Sequence, residues 1–132
     1  MSLKIAVRTL RTADGQAERL RADTTGTLTR LPDGWRVEYT EFLGGQAAPT
    51  ALTLTAAGAE LRRAAPWETV LPLTPGQPQT GTYATPYGVL PARTDTALVR
   101  FDLTPAGGRV TLRYTLDLGG QTAAFEVHIL IR

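Results

Sequence analysis

Glu41 is the one carboxylate in a row of apolar residues. After Pro32-Asp33-Gly34, the residues Trp35, Val37, Tyr39, Glu41 and Leu43 fall on one face of an alternating segment, as expected of a half-buried strand. Arg63 shares parity with Ala59 and Leu61 in a later segment. If both charges point inward they must be paired or coordinated, because an isolated ion away from water is too costly. One reading makes Glu41 and Arg63 the polar floor of a ligand pocket, with Tyr39, Tyr83 and Tyr87 supplying aromatic walls and hydroxyl partners. The competing reading is a structural ion pair, or an Arg63 that snorkels to solvent at a strand end. Thr85-Pro86-Tyr87-Gly88 has the composition of a tight turn, which at the mouth of a closed sheet could set Tyr87 over an opening or in a contact between two copies.

Other chemistries are short of residues. The chain has no cysteine, one serine (Ser2), one lysine (Lys4) and one histidine (His128). A serine triad would need Ser2 and a Schiff base would need Lys4, both near the start of the chain. A structural zinc site needs several Cys or His ligands, and no phosphate-loop, dinucleotide or His-Glu-x-x-His pattern occurs. His128 could serve as a single axial ligand to haem, but its place between Glu126 and Arg132 on a polar face reads as a solvated histidine. We therefore expect no cofactor and no metal. Twelve acidic residues leave a paired-carboxylate enzyme open, with Glu41 and Asp95 as an example of a pair converging across a cleft.

The elements that position these residues read as strands. Turn signals recur at Asp14-Gly15, Pro32-Asp33-Gly34, Gly44-Gly45, Ala57-Gly58, Pro105-Ala106-Gly107-Gly108 and Gly119-Gly120. Between them, Val110, Leu112, Tyr114, Leu116 and Leu118 share a face. Phe125, Val127, Ile129 and Ile131 share another, with Leu130 on the polar side. Leu52, Leu54 and Ala56 continue the pattern, and Leu98, Val99, Phe101 and Leu103 mark a further strand. The 21 threonines suit a pleated surface better than a helix. Residues 13–22 are the longest stretch with helical potential, yet alternation resumes at Thr24 and Gly26 suggests a bulge or sharp bend, so two strands are expected there. Residues 64–91 carry six prolines and are expected to be the least regular part.

The sum is about eight to ten short strands joined by hairpins. That predicts an all-β, antiparallel meander barrel, closure being favoured because it removes exposed edges. An open sandwich is the alternative. With 132 residues and 42% hydrophobic content, one domain over residues 1–132 is expected. The formal charge is +2 and only Arg62-Arg63 is a basic doublet, so no nucleic-acid partner is expected. The first dozen residues read as a strand and no long apolar run occurs, which points away from a membrane and toward the cytoplasm.

The run Tyr83-Ala84-Thr85-Pro86-Tyr87-Gly88, with Tyr39-Thr40-Glu41, Arg63, Gly76 and Thr94-Asp95-Thr96, resembles the YwiB-like family of uncharacterised bacterial proteins. The similarity runs from about Gly26 to Leu118. It implies a calycin-like, lipocalin-like β-barrel and implies no activity. Three functional readings follow in order of preference. The first is a small-molecule-binding barrel using Tyr39, Glu41, Arg63, Tyr83 and Tyr87. The second is a structural or protein-interaction barrel, with a homodimer as its simplest form. The third is an enzyme built on paired carboxylates.

Overall fold

Ten strands account for nearly the whole chain: β1 (Leu3–Ala13), β2 (Gln16–Leu31), β3 (Gly34–Leu43), β4 (Gln46–Thr55), β5 (Gly58–Arg63), β6 (Thr69–Leu73), β7 (Gln79–Thr85), β8 (Gly88–Thr104), β9 (Gly107–Leu118) and β10 (Gln121–Ile131). The computed structural model describes residues 2–132, except that the side chain of Leu43, expected on the Glu41 face, lies outside the described part. Every strand pairs antiparallel with its sequence neighbours, and β1 closes the barrel against β10. The result is an all-antiparallel, ten-strand meander barrel. Its hairpins follow from local chemistry: Asp14-Gly15, Gly44-Gly45 and Gly119-Gly120 have positive φ at both positions, the conformation whose twist matches that of the flanking strands.

The structure departs from the sequence reading in four places. Residues 16–31 form the one strand β2, where two strands were expected. Gly26 makes no bulge. It stands in unbroken register with Leu3 on one side and Tyr39 on the other, and its missing side chain is space taken by the Glu38 carbonyl and the Ile5 side chain. The irregularity sits instead in β8 between Thr96 and Leu98. It turns Ala92, Thr94 and Thr96 inward before it and Val99, Phe101 and Leu103 inward after it. Ala56 belongs to the β4–β5 turn rather than to a strand.

The proline-rich region is the least regular part, as expected: the two longest breaks between strands, 64–68 and 74–78, fall in it, although it also contains β6, β7 and the start of β8. Pro72 lies inside β6, where β6–β7 pairing has already ended at Val70–Thr82. The Pro72 carbonyl faces the Thr94 hydroxyl, so its missing N–H falls on that same side, away from the β5 ladder. Pro91 lies in β8 before pairing with β9 begins at Ala92.

The barrel interior is layered. Register rows run Trp35–Leu54–Ala59–Leu73, then Val37–Leu52–Leu61–Leu71, then Tyr39–Thr50–Arg63–Thr69–Tyr83. The first two rows are apolar and tightly buried, with Val37, Leu52, Leu54 and Leu73 shut off from solvent. Trp35 fills the end that carries the β2–β3 and β4–β5 turns, and the Arg30 guanidinium lies 5.0 Å over its ring. The third row is polar and lies toward the opposite end, where the β1–β2, β3–β4, β5–β6, β7–β8 and β9–β10 connections gather.

Candidate functional site

One residue beyond the polar row on β3's inner face stands Glu41. Its Oε2 accepts from Arg63 Nη2 at 3.3 Å, with the Glu41 side chain 12% and the Arg63 side chain 28% exposed. The neighbouring threonines are already committed: Thr50 Oγ1 donates to the Ala48 carbonyl at 3.0 Å and Thr69 Oγ1 to the Trp67 carbonyl at 3.1 Å. The Arg63 guanidinium is only partly satisfied, because its Nε is buried with no hydrogen-bond partner.

The strands part beside this pair. β2 and β3 are in register only over Gly26–Leu31 and Gly34–Tyr39. Above that point residues 16–25 pair with β1 alone and residues 40–43 with β4 alone. A cavity of about 240 Å³ occupies the interior below the gap. Leu20, Arg21, Glu41 and Phe42 line its upper part, and Leu52, Leu61, Leu112, Val127 and Ile129 its depth. Val7, Thr9, Ala22, Tyr39, Arg63, Tyr114 and Phe125 complete the wall. Tyr114 and Phe125 are register partners on β9 and β10, stacked with ring centroids 5.2 Å apart and planes 15° from parallel. Arg63 also reaches a second, more open depression of about 520 Å³ that it shares with Glu38 and Glu68.

Electrostatics keep both interior phenols protonated. Burial, which disfavours the phenolate, pushes Tyr114 up to about 12, with Arg63 pulling down and Glu41 adding to the rise. Tyr39 is raised further by burial and by the adjoining Glu41 carboxylate, against a smaller lowering by Arg63. Both hydroxyls therefore keep their protons at neutral pH, with that of Tyr39 facing the Glu41 carboxylate. Beside them Glu41, when ionised, can only accept and Arg63 can only donate.

Of the five residues singled out from sequence, the structure brings Tyr39, Glu41 and Arg63 together around this cavity. Tyr83 is partly buried in the same register row but does not line it. Tyr87 is 98% exposed at the tip of the β7–β8 turn, which Thr85 closes by accepting from the Tyr87 N–H at 3.2 Å and donating to the Gly88 carbonyl at 2.8 Å. Tyr114 and Phe125 were visible as inward residues of their strands, yet nothing local to either segment places them across the barrel from Glu41.

The remaining candidates lie elsewhere. Asp95 is exposed between the buried Thr94 and Thr96, so it faces out while Glu41 faces in, and the two do not converge. His128 is exposed, with Nε2 3.0 Å from Glu126 Oε1 and Nδ1 3.5 Å from Thr111 Oγ1. Among the described residues no cluster of three or more His, Cys, Asp or Glu could hold a metal ion, and no helix is long and apolar enough to cross a membrane.

Comparison with known proteins gives a fold and a family. The structure is similar to the crystal structure of the ywiB protein from Bacillus subtilis, with a TM-score of 0.85 and 18% identity over 98% of this chain and 90% of that one. At that identity the likeness speaks for the barrel alone. No curated protein matches the chain. The family model that matches, over residues 5–129, is described as a domain of unknown function, DUF1934. A match over almost the whole length identifies this barrel as a member of the DUF1934 family.

Proposed function

We propose that the barrel binds a small molecule in its interior, in the manner of calycin-like barrels. The observation that carries the reading is the unsaturated Glu41–Arg63 pair beside an open cavity. A buried ion pair offsets its desolvation only when its geometry is good and its remaining donors and acceptors are satisfied. Here a single 3.3 Å contact joins the two groups and Arg63 Nε is left without a partner. A pair kept for stability alone is expected to be better connected. A ligand would supply the missing partners, and the apolar walls would supply affinity.

Native mass spectrometry of the purified protein tests this, beside Glu41→Ala and Arg63→Ala variants. A small molecule retained by the wild type and lost from either folded variant supports the reading. An empty wild type that gains no thermal stability from any member of a small-aromatic library overturns it.

A second reading is favoured by a separate observation. The exposed large apolar residues Leu20, Phe42, Trp67, Tyr87, Val89 and Leu90 all belong to strands or connections at the end where the cavity opens. An apolar rim of this kind suits contact with another protein surface, the simplest being a second copy. Sedimentation of the wild type and of Tyr87→Ser/Val89→Thr distinguishes a dimer from a monomer, and a monomeric wild type removes the homodimer.

A further inference from the structure

The cavity's charge and hydrogen-bonding pattern restrict what fits inside it, given the interior-binding reading above. Thr50 and Thr69 do not line the cavity, and the polar groups that face an occupant below the exposed Arg21 are Glu41, Arg63, the phenols of Tyr39 and Tyr114, and the Thr9 hydroxyl, which can give or accept. Ionised Glu41 offers acceptors only and Arg63 donors only, and the buried phenols keep their protons. An occupant that satisfies both sides needs an N–H to give to Glu41 and, next to it, an oxygen to receive from Arg63 or a tyrosine.

The charges lead the same way. Glu41 and Arg63 cancel. The other charged residue of the lining is Arg21, whose guanidinium is solvent-exposed and bridged to Asp23 at 3.2 Å, where solvent screens it. A free anion would reach Arg63 only by standing against the Glu41 carboxylate, and a cation would meet the reverse. Neither finds a spare counter-charge in the wall. A purely apolar occupant would fit the depth but leave Glu41 and Arg63 desolvated without new partners, which is the more costly arrangement.

Size narrows the class further. A dry cavity of about 150 Å³ holds benzene, so about 240 Å³ holds one ring with a short substituent. The stacked Tyr114–Phe125 pair offers a ring-sized flat wall. We propose that this interior takes an uncharged, single-ring compound bearing a carboxamide or lactam edge, its N–H toward Glu41 and its carbonyl toward Arg63.

The test is a titration series on one ring with one changing substituent: benzamide, benzoate, benzylamine and toluene, followed by calorimetry and thermal shift at neutral pH. Benzamide is expected to bind about tenfold or more tighter than each of the others, the scale set by one satisfied or unsatisfied polar contact. In Glu41→Gln, which keeps the shape and removes the negative charge, benzoate is expected to gain about tenfold or more and overtake benzamide, because Arg63 is then without its counter-charge. If that variant does not fold, the wild-type order decides alone. Benzoate or benzylamine binding tightest to the wild type, or toluene matching benzamide, overturns the proposed class while leaving interior binding intact. Failure of all four to bind overturns the proposed class, and interior binding itself falls only if the purified wild type is also empty and the wider aromatic library gives no thermal shift.

Discussion

The Thr94 hydroxyl donates to the Pro72 carbonyl at 2.5 Å, across the place where the barrel's ladder is shortest. β6 and β7 share only the pairs Thr69–Tyr83 and Val70–Thr82. Beyond them, a side chain from β8 takes over what a backbone amide would otherwise do, helped by the Gly76 N–H donating to the Thr96 carbonyl at 3.0 Å. Two residues along β8, the Thr96 hydroxyl is buried with no partner.

These two threonines should respond oppositely to the same substitution. Thr94→Val leaves the Pro72 carbonyl without its donor in a fully buried setting and is expected to cost about 1–2 kcal/mol. Thr96→Val removes an orphaned hydroxyl at nearly constant shape and is expected to be neutral or to stabilise by up to about 1 kcal/mol. Urea denaturation of both variants reads the difference, and equal effects would show that the seam does not depend on Thr94.

Glu41 and Arg63 are expected to behave as a coupled pair in stability as well as in binding. Arg63→Met leaves a mostly buried carboxylate unpaired and should cost about 1–3 kcal/mol, less than for a fully enclosed pair because Arg63 is partly exposed. Adding Glu41→Leu should recover much of that loss, since both charges are then gone. A double-mutant cycle in urea measures the coupling, and additive single effects would mean that the 3.3 Å contact contributes nothing.

What could be read from the chain and what could not divide along a physical line. Strand parity is local: the alternation of Trp35, Val37, Tyr39 and of Ala59, Leu61 was enough to turn Glu41 and Arg63 inward, because a period of two needs no knowledge of the partner strand. The meeting of Tyr114 and Phe125 with that pair is set by barrel closure and strand stagger, which no segment encodes alone. Residues 64–91 were legible as the least regular part, but β6 within them was not, because proline weakens the usual strand signal and the Thr94 hydroxyl that meets the Pro72 carbonyl comes from 22 positions away. Tyr87 was legible as a turn residue, but its direction away from the cavity depends on how β7 and β8 leave the barrel.

Gly26 carries a prediction of its own, because a close approach and a bulge respond differently to substitution. A Cβ there would collide with the Glu38 carbonyl oxygen and stand 2.6 Å from Ile5 Cδ1. Gly26→Ala should therefore cost about 2–3 kcal/mol as backbone and core are pushed apart. Gly15→Ala, in open space at φ +75°, bears only the left-handed penalty of about 1–2 kcal/mol. Thermal unfolding of the two variants ranks them, and a milder Gly26→Ala would mean that β2 can move away from β3 at little cost.

The buried phenols set the alkaline limit of stability. In the unfolded chain Tyr39 and Tyr114 ionise near 10, as free tyrosines do. In the folded barrel burial holds both higher, Tyr114 at about 12. Above pH 10 the unfolded chain has released protons that the native barrel retains, so the contribution is complete below pH 10 and declines as pH rises through the window up to about 12. Each retained proton steepens the loss by up to about 1.4 kcal/mol per pH unit. Urea midpoints taken from pH 9 to 11.5 should fall with a slope that Tyr114→Phe reduces, since phenylalanine has no proton to retain. Parallel slopes for wild type and Tyr114→Phe would mean that the phenol reaches water through the gap between β2 and β3 and ionises with the barrel still folded.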